Sequence, residues 1–198
     1  MMKYLLVLTL SFSLFANPLS ESKKAIMIQS GVYHDGCPVP LSDLRSVIVP
    51  YHDSQHKVKR GELIVHKEVE EEVKKIFDAL FKRGFVIAQI RPMRDFNASD
   101  EASMRANNTS AFNCRTIKGT DKFSKHSYGK AIDINPLWNP CIVKGEVSPK
   151  TGVRFVDREA YHDGKICQGD FVVKCFKKHG WKWGGAWHSL KDYQHFEK

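Results

Sequence analysis

Ser124-Lys-His126-Ser-Tyr128-Gly129-Lys-Ala131-Ile132-Asp133-Ile134 sets one imidazole and one carboxylate seven residues apart. Asp192-Tyr-Gln-His195, near the C-terminus, supplies a second carboxylate and a second imidazole, three apart. Catalytic zinc sites take about three protein donors of these types and keep a further position for water. A carboxylate beside them can then take a proton from that water. His126, Asp133 and His195 are the expected ligands, and Asp192 the expected base. Along an unbroken strand an odd separation of seven would put His126 and Asp133 on opposite faces. The chain must therefore turn between them, and Gly129 is the residue suited to that. After it, Ala131 to Ile134 reads as a short strand, with Ala131 and Asp133 pointing one way and Ile132 and Ile134 the other. An acid on a strand whose other face is apolar is costly without a charged or metal partner. For Asp192 and His195 two arrangements are open: neighbours on one helical face, or the two sides of a turn.

The segment "SKHSYGKAID" resembles the SxHxxGxAxD signature of the D-alanyl-D-alanine metallopeptidases of the VanX and VanY type. The segment "GGAWHSLKDYQHFE" is similar to their closing block, where an acidic residue precedes the last zinc-binding histidine by three. The resemblance extends over roughly Val47 to Glu197, through "HKVKRGELIVHKEVEEEVKKIFDALFKRGFVI", "NNTSAFNCR" and "AIDINPLWNP". These are similar to the subgroup of VanY-type carboxypeptidases and phage L-alanyl-D-glutamate endolysins. The resemblance implies one zinc ion on His126, Asp133 and His195, with Asp192 as acid/base. It implies a small α+β domain: an antiparallel sheet with flanking helices and the metal in a groove across the sheet. The implied substrate is the peptide stem of peptidoglycan, cut as a D-alanyl-D-alanine carboxypeptidase or an L-alanyl-D-glutamate-type endopeptidase would cut it. A non-catalytic wall-binding or regulatory zinc protein on the same fold is the competing class. Such a protein would have lost the base, and Asp192 is present.

Working outward, residues 1–16 read as a secretory signal: Lys3, then an apolar run from Tyr4 to Phe15, then Ala16 for cleavage. The run is too short for a membrane span, which needs about 20 residues. The expectation is an exported chain, periplasmic or wall-associated, without a stable membrane anchor and monomeric. Residues 17–40 read as an extended lead-in and residues 41–198 as the peptidase domain. The formal charge of +9 suits an anionic environment such as wall polymer. Lys and Arg are spread along the chain with no aromatic-interleaved basic block, which argues against a nucleic-acid partner. Cysteines at 37, 114, 141, 167 and 175 permit disulfides but leave at least one thiol over, and their connectivity is open.

Leu44 to Tyr51 reads as a strand, His52 to Lys59 as a loop and Gly61 to Val65 as a short strand or bulge. Val69, Val73, Ile76, Phe77, Leu80 and Phe81 recur at helical spacing, predicting a helix over 67–83 that stops at Gly84. Phe85 to Ile90 reads as a buried strand, residues 95–110 as a long loop over the site, and 142–170 as an insertion loop closing a groove. Phe171 to His179 has a helical pattern. The resemblance to VanX-like relatives implies Arg91, in "RP", as a substrate contact near the scissile carbonyl. Arg115, whose segment leads into the His126 loop, competes for the role and is preferred, and a guanidinium suits it because it stays charged. Ser124, Tyr128, Trp187 and Glu197 are expected around the site, Glu197 as the acceptor for the second N–H of a ligand histidine. His162 and His188 are weaker alternative ligands.

Overall fold

The computed structural model describes residues 18–198, so the signal expected at residues 1–16 lies outside the described residues. Residues expected to be extended at the start form helix α1, Glu21–Gln29. Ser20 caps it by accepting a hydrogen bond from the Lys23 N–H at 3.3 Å. Of the helix residues only Met27 is buried, so the segment carries almost no amphipathic signal and its helicity was not readable from spacing. Met27 packs with Leu19, Val32, Val39, Leu44, Ile64, Met93 and Phe112 in a small secondary core. This core is closed by a disulfide between Cys37 and Cys114. Cys141, Cys167 and Cys175 are free thiols.

Strands β1, Leu44–His52, and β2, Val58–His66, form a long antiparallel hairpin with Leu44 opposite His66. The expected short strand or bulge at Gly61 is thus the middle of a nine-residue strand. Gly61 breaks the apolar pattern because a Cβ there would run into Ile90. A short 3-10 turn at Lys67–Val69 leads into helix α2, Glu70–Lys82. Val73, Ile76, Phe77 and Leu80 are its buried face, as the periodicity required. Each such side chain contributes roughly 1.5–3 kcal/mol of burial. Together with Val47, Val49, Leu63 and Val65 from the hairpin they form the main core.

Only Gln89–Ile90 of the expected 85–90 strand is regular, as β3, and it pairs in parallel with β4, Asn108–Thr109. Residues 95–110 are not one long loop: they hold a 3-10 turn at Met93–Phe96 and helix α3, Asp100–Arg105, capped by Ser99. Strand β5 is Ala131–Asp133. The segment read as an insertion loop opens with a hairpin, β6 (Cys141–Val143) and β7 (Glu146–Ser148). Helix α4, Phe171–Lys178, precedes β8 (Lys182–Trp183), β9 (Lys191–Asp192) and β10 (His195–Glu197). The fold is α+β, but among the described residues the strands divide into four small sheets, one of them parallel, rather than a single antiparallel one. Of the expected site residues, the sheet β5-β10-β8 carries Asp133, His195 and Glu197, and the sheet β7-β6-β9 carries Asp192. No helix among the described residues is long and apolar enough to cross a membrane.

Candidate metal centre

Antiparallel pairing of β5 with β10 sets His195 opposite Asp133 and Glu197 opposite Ala131. Alternation then sorts the side chains. Ile132 and Phe196, paired between these residues, are fully buried, and Phe196 stacks on Phe176 with ring centres 4.0 Å apart. Asp133, His195 and Glu197 stand on the other face. His126 reaches that face from a 3-10 turn, Lys125–Tyr128, that ends at Gly129 with φ +65°. The turn that the seven-residue spacing demanded is therefore present, and at the residue expected. A Cβ on Gly129 would lie 2.5 Å from the His66 amide nitrogen, which donates to the Gly129 carbonyl at 2.9 Å.

The three expected ligands converge. His126 Nε2 lies 3.2 Å from Asp133 Oδ2 and 3.3 Å from His195 Nδ1, and His195 Nδ1 lies 2.9 Å from Asp133 Oδ1. Each imidazole spends its other nitrogen outside the cluster. His126 Nδ1–H donates to the Ala111 carbonyl at 2.5 Å, and His195 Nε2–H to Glu197 Oε2 at 3.2 Å. The inward atoms of neutral His126, neutral His195 and ionised Asp133 are then all acceptors, with no donor among them. In that protonation state the set suits a cation at its centre, and its outer hydrogen bonds are those that fix ligand histidines in metal sites. The residues fit zinc.

Without a metal, a proton on His195 balances the charge of Asp133 in this cluster. Burial opposes ionisation of Asp133, yet His126 and His195 outweigh it and hold the carboxyl well below the usual range. Burial alone would lower the pKa of His195, but Asp133 and Glu197, with the charge of Asp192 beyond, push it up to about 10. The hydrogen bond with His195 in turn holds Glu197 below its ordinary value.

Asp192 comes from the second sheet. The chain turns between β9 and β10, so Asp192 and His195 are not helical neighbours. Strand β6 holds Asp192 in place, with Cys141 directly opposite it. The hairpin that read as a loop insertion is thus the support of the acid. Gly184 makes room: a Cβ there would lie 2.8 Å from that of Asp192. Asp192 Oδ1 is buried with no hydrogen-bond partner. Burial, then the charge of Asp133, raise its pKa, while His195 and His126 oppose the shift. Burial and the nearby Asp192 likewise push the Cys141 thiol well up, so it is no thiolate nucleophile.

The other expected residues separate. Trp187 comes to the site, its ring centre 5.5 Å from that of His195. Ser124 is buried and caps the His126 turn, accepting from the His126 N–H at 3.3 Å. Tyr128 is exposed at the same turn. Arg91 donates from Nε to Asp95 at 3.0 Å and lies over the Phe96 ring. Arg115 forms an ion pair with Asp100. Its backbone serves the site, because Ser127 Oγ donates to the Arg115 carbonyl at 2.7 Å and so braces the His126 turn. His162 packs edge-on to Phe155 and His188 is exposed; neither joins the cluster.

Two supports had no sequence signal. The Ala111 carbonyl is a backbone group, indifferent to residue type. Arg158, inside the apparent insertion, donates to the carbonyls of Trp138, Phe155 and Ile166 and to Asn139 Oδ1. It also lies over the ring of Tyr193, between Asp192 and His195 in sequence.

Residues 118–198 match a family model described as D-alanyl-D-alanine carboxypeptidase. Over this segment the chain is similar to the D-alanyl-D-alanine carboxypeptidase family. The matched span contains His126, Asp133, Asp192 and His195, and so holds the whole cluster and the acid beside it. Residues N-terminal to it supply Ala111 and the β1–β2 hairpin against which the Gly129 turn closes. The match supports a hydrolase acting on peptides. No solved structure matches the chain.

Proposed function

We propose that the chain is an exported, zinc-dependent peptidase that hydrolyses an amide bond in the peptide stem of peptidoglycan. The observation that carries this reading is the convergence of His126, Asp133 and His195, all donor atoms within 4.8 Å of one another, beside Asp192, whose Oδ1 has no hydrogen-bond partner. His126 Nε2, the Asp133 carboxylate and His195 Nδ1 would hold the ion. Zinc, when bound, supplies a Lewis acid that polarises an amide carbonyl and acidifies water. Asp192 Oδ1, free of other partners, accepts the proton that attacking water loses as the C–O bond forms. The same oxygen returns that proton to the departing nitrogen as the C–N bond breaks, leaving a carboxylate and an amine. Glu197 and the Ala111 carbonyl keep the imidazoles oriented throughout. Export and the charge of +9 fit a wall-polymer substrate.

Purified peptidoglycan digested with the mature protein, with and without a chelator and beside Asp192→Ala, tests the reading. Release of D-alanine or of cleaved stems, abolished by chelator and by the substitution, is expected, and fragment masses name the bond. Stoichiometric zinc binding with no bond of any peptidoglycan cut would overturn it.

A further inference from the structure

A cleft of about 630 Å³ opens between the α2–β3 connection, the 161–167 loop and the start of α4, and none of its lining residues belongs to the metal cluster. Two of its aromatic residues are left exposed by the fold. Tyr161 is 85% exposed and Phe171 41% exposed, and both line the cleft. Tyr161 is nevertheless held, its hydroxyl donating to Asp163 Oδ1 at 2.9 Å. The other Asp163 oxygen lies 3.6 Å from His56 Nε2. His56 is held in the turn between β1 and β2, where its N–H donates to the Asp53 carbonyl at 2.8 Å. Arg83 lies over the Phe171 ring, 5.5 Å from its centre.

The formal charges of the lining side chains cancel: Arg83 and Lys165 against Asp163 and Asp170. Balanced charge disfavours a polyanion and suits a neutral ligand rich in hydrogen-bonding groups. Exposed aromatic faces beside a carboxylate and an imidazole suit a ring with one apolar C–H face and a rim of hydroxyls. The cleft is also tied to the metal site. The Asn135 side chain, two residues after Asp133, donates to the Val86 carbonyl at 2.9 Å and to the Gly164 carbonyl at 3.2 Å. Gly164 sits so close that a Cβ would lie 2.5 Å from Asn135 Nδ2. The loop bearing Tyr161 and Asp163 is therefore anchored against the segment that bears a metal ligand.

We propose that this cleft binds a saccharide: a segment of N-acetylated glycan strand, held by Tyr161, Phe171 and Asp163 while the linked peptide is processed at the metal centre. The choice of glycan rests on the wall-polymer reading above, but its test does not depend on turnover. The probe is tetra-N-acetylchitotetraose, titrated into the zinc-loaded protein and followed by amide chemical shifts. Saturable shifts confined to residues 161–172 and 83–86 are expected. Tyr161→Ala and Asp163→Asn should each weaken binding about ten-fold. Both variants should hydrolyse a free stem peptide as the wild type does and intact peptidoglycan more slowly.

Absence of shifts in the cleft, shifts unaltered by both variants, or shifts there with the free stem peptide instead of the sugar would each overturn the proposal. If the sugar binds in the cleft and no peptidoglycan is cut, the saccharide site stands while the hydrolase reading falls.

Discussion

His195 and Asp133 face each other across the β5–β10 pair, with His195 Nδ1 2.9 Å from Asp133 Oδ1, and the opposite nitrogen of the same ring meets Glu197 at 3.2 Å. Glu197 is two residues beyond His195 on the same strand face, so backbone geometry alone delivers a carboxylate to the outer side of the ligand imidazole. Removing such an outer partner commonly costs about 10–100-fold in metal affinity. Glu197→Gln should weaken zinc binding by that order in competition with a chromogenic chelator, leaving the far-UV circular dichroism unchanged. His195→Ala should leave less than about a tenth of an equivalent of zinc after dialysis, an outcome read by elemental analysis.

Gly129 is the hinge on which His126 reaches Asp133. An L side chain there would adopt a left-handed conformation, at a cost of roughly 1–2 kcal/mol, and would also strike the backbone of β2 at His66 and Val65. Gly129→Ala is expected to lower the unfolding free energy by more than about 2 kcal/mol in urea titration. Zinc stoichiometry should fall with it, because the His126 turn must shift. Unchanged stability and full zinc occupancy would show that the turn tolerates a Cβ.

The disulfide joins Cys37 to Cys114 across a separation of 77 residues and fastens the α1 region to the segment that carries Ala111. Closing a loop of that size constrains the unfolded chain by about 4.5 kcal/mol in the loop-entropy model. The Cys37→Ala/Cys114→Ala protein should melt on the order of 10 °C lower than the wild type. Thiol reduction of the wild type should reproduce the shift.

Glu62 joins three elements, accepting from Lys23 at 2.5 Å and also from Ser46 and Arg94. Burial resists its ionisation, but these partners win and set its pKa below the ordinary 4.5. A depressed folded-state pKa means that the contribution is complete above the unfolded value and disappears as pH falls through the folded one. Glu62→Gln should cost about 1–3 kcal/mol at pH 7. The gap between variant and wild type should close as melts are repeated from pH 4.5 downward. A gap independent of pH would place the effect in packing rather than charge.

The sequence by itself determined the donor set and the local conformations that present it. The spacing of His126 and Asp133 required a turn, Gly129 could make it, and the alternation Ala131-Ile-Asp-Ile required a two-faced strand; all three are local, so one chain segment suffices to read them. The apolar face of α2 was legible for the same reason. Only the tertiary structure decided which elements meet. Asp192 is positioned by a hairpin some fifty residues upstream, because strand register depends on pairing partners that no short window contains. His126 is oriented by a backbone carbonyl, which every residue type offers equally. Helix α1 is held by a cap, one buried Met27 and a disulfide rather than by an apolar stripe, so its stability comes from what it packs against and not from its own pattern.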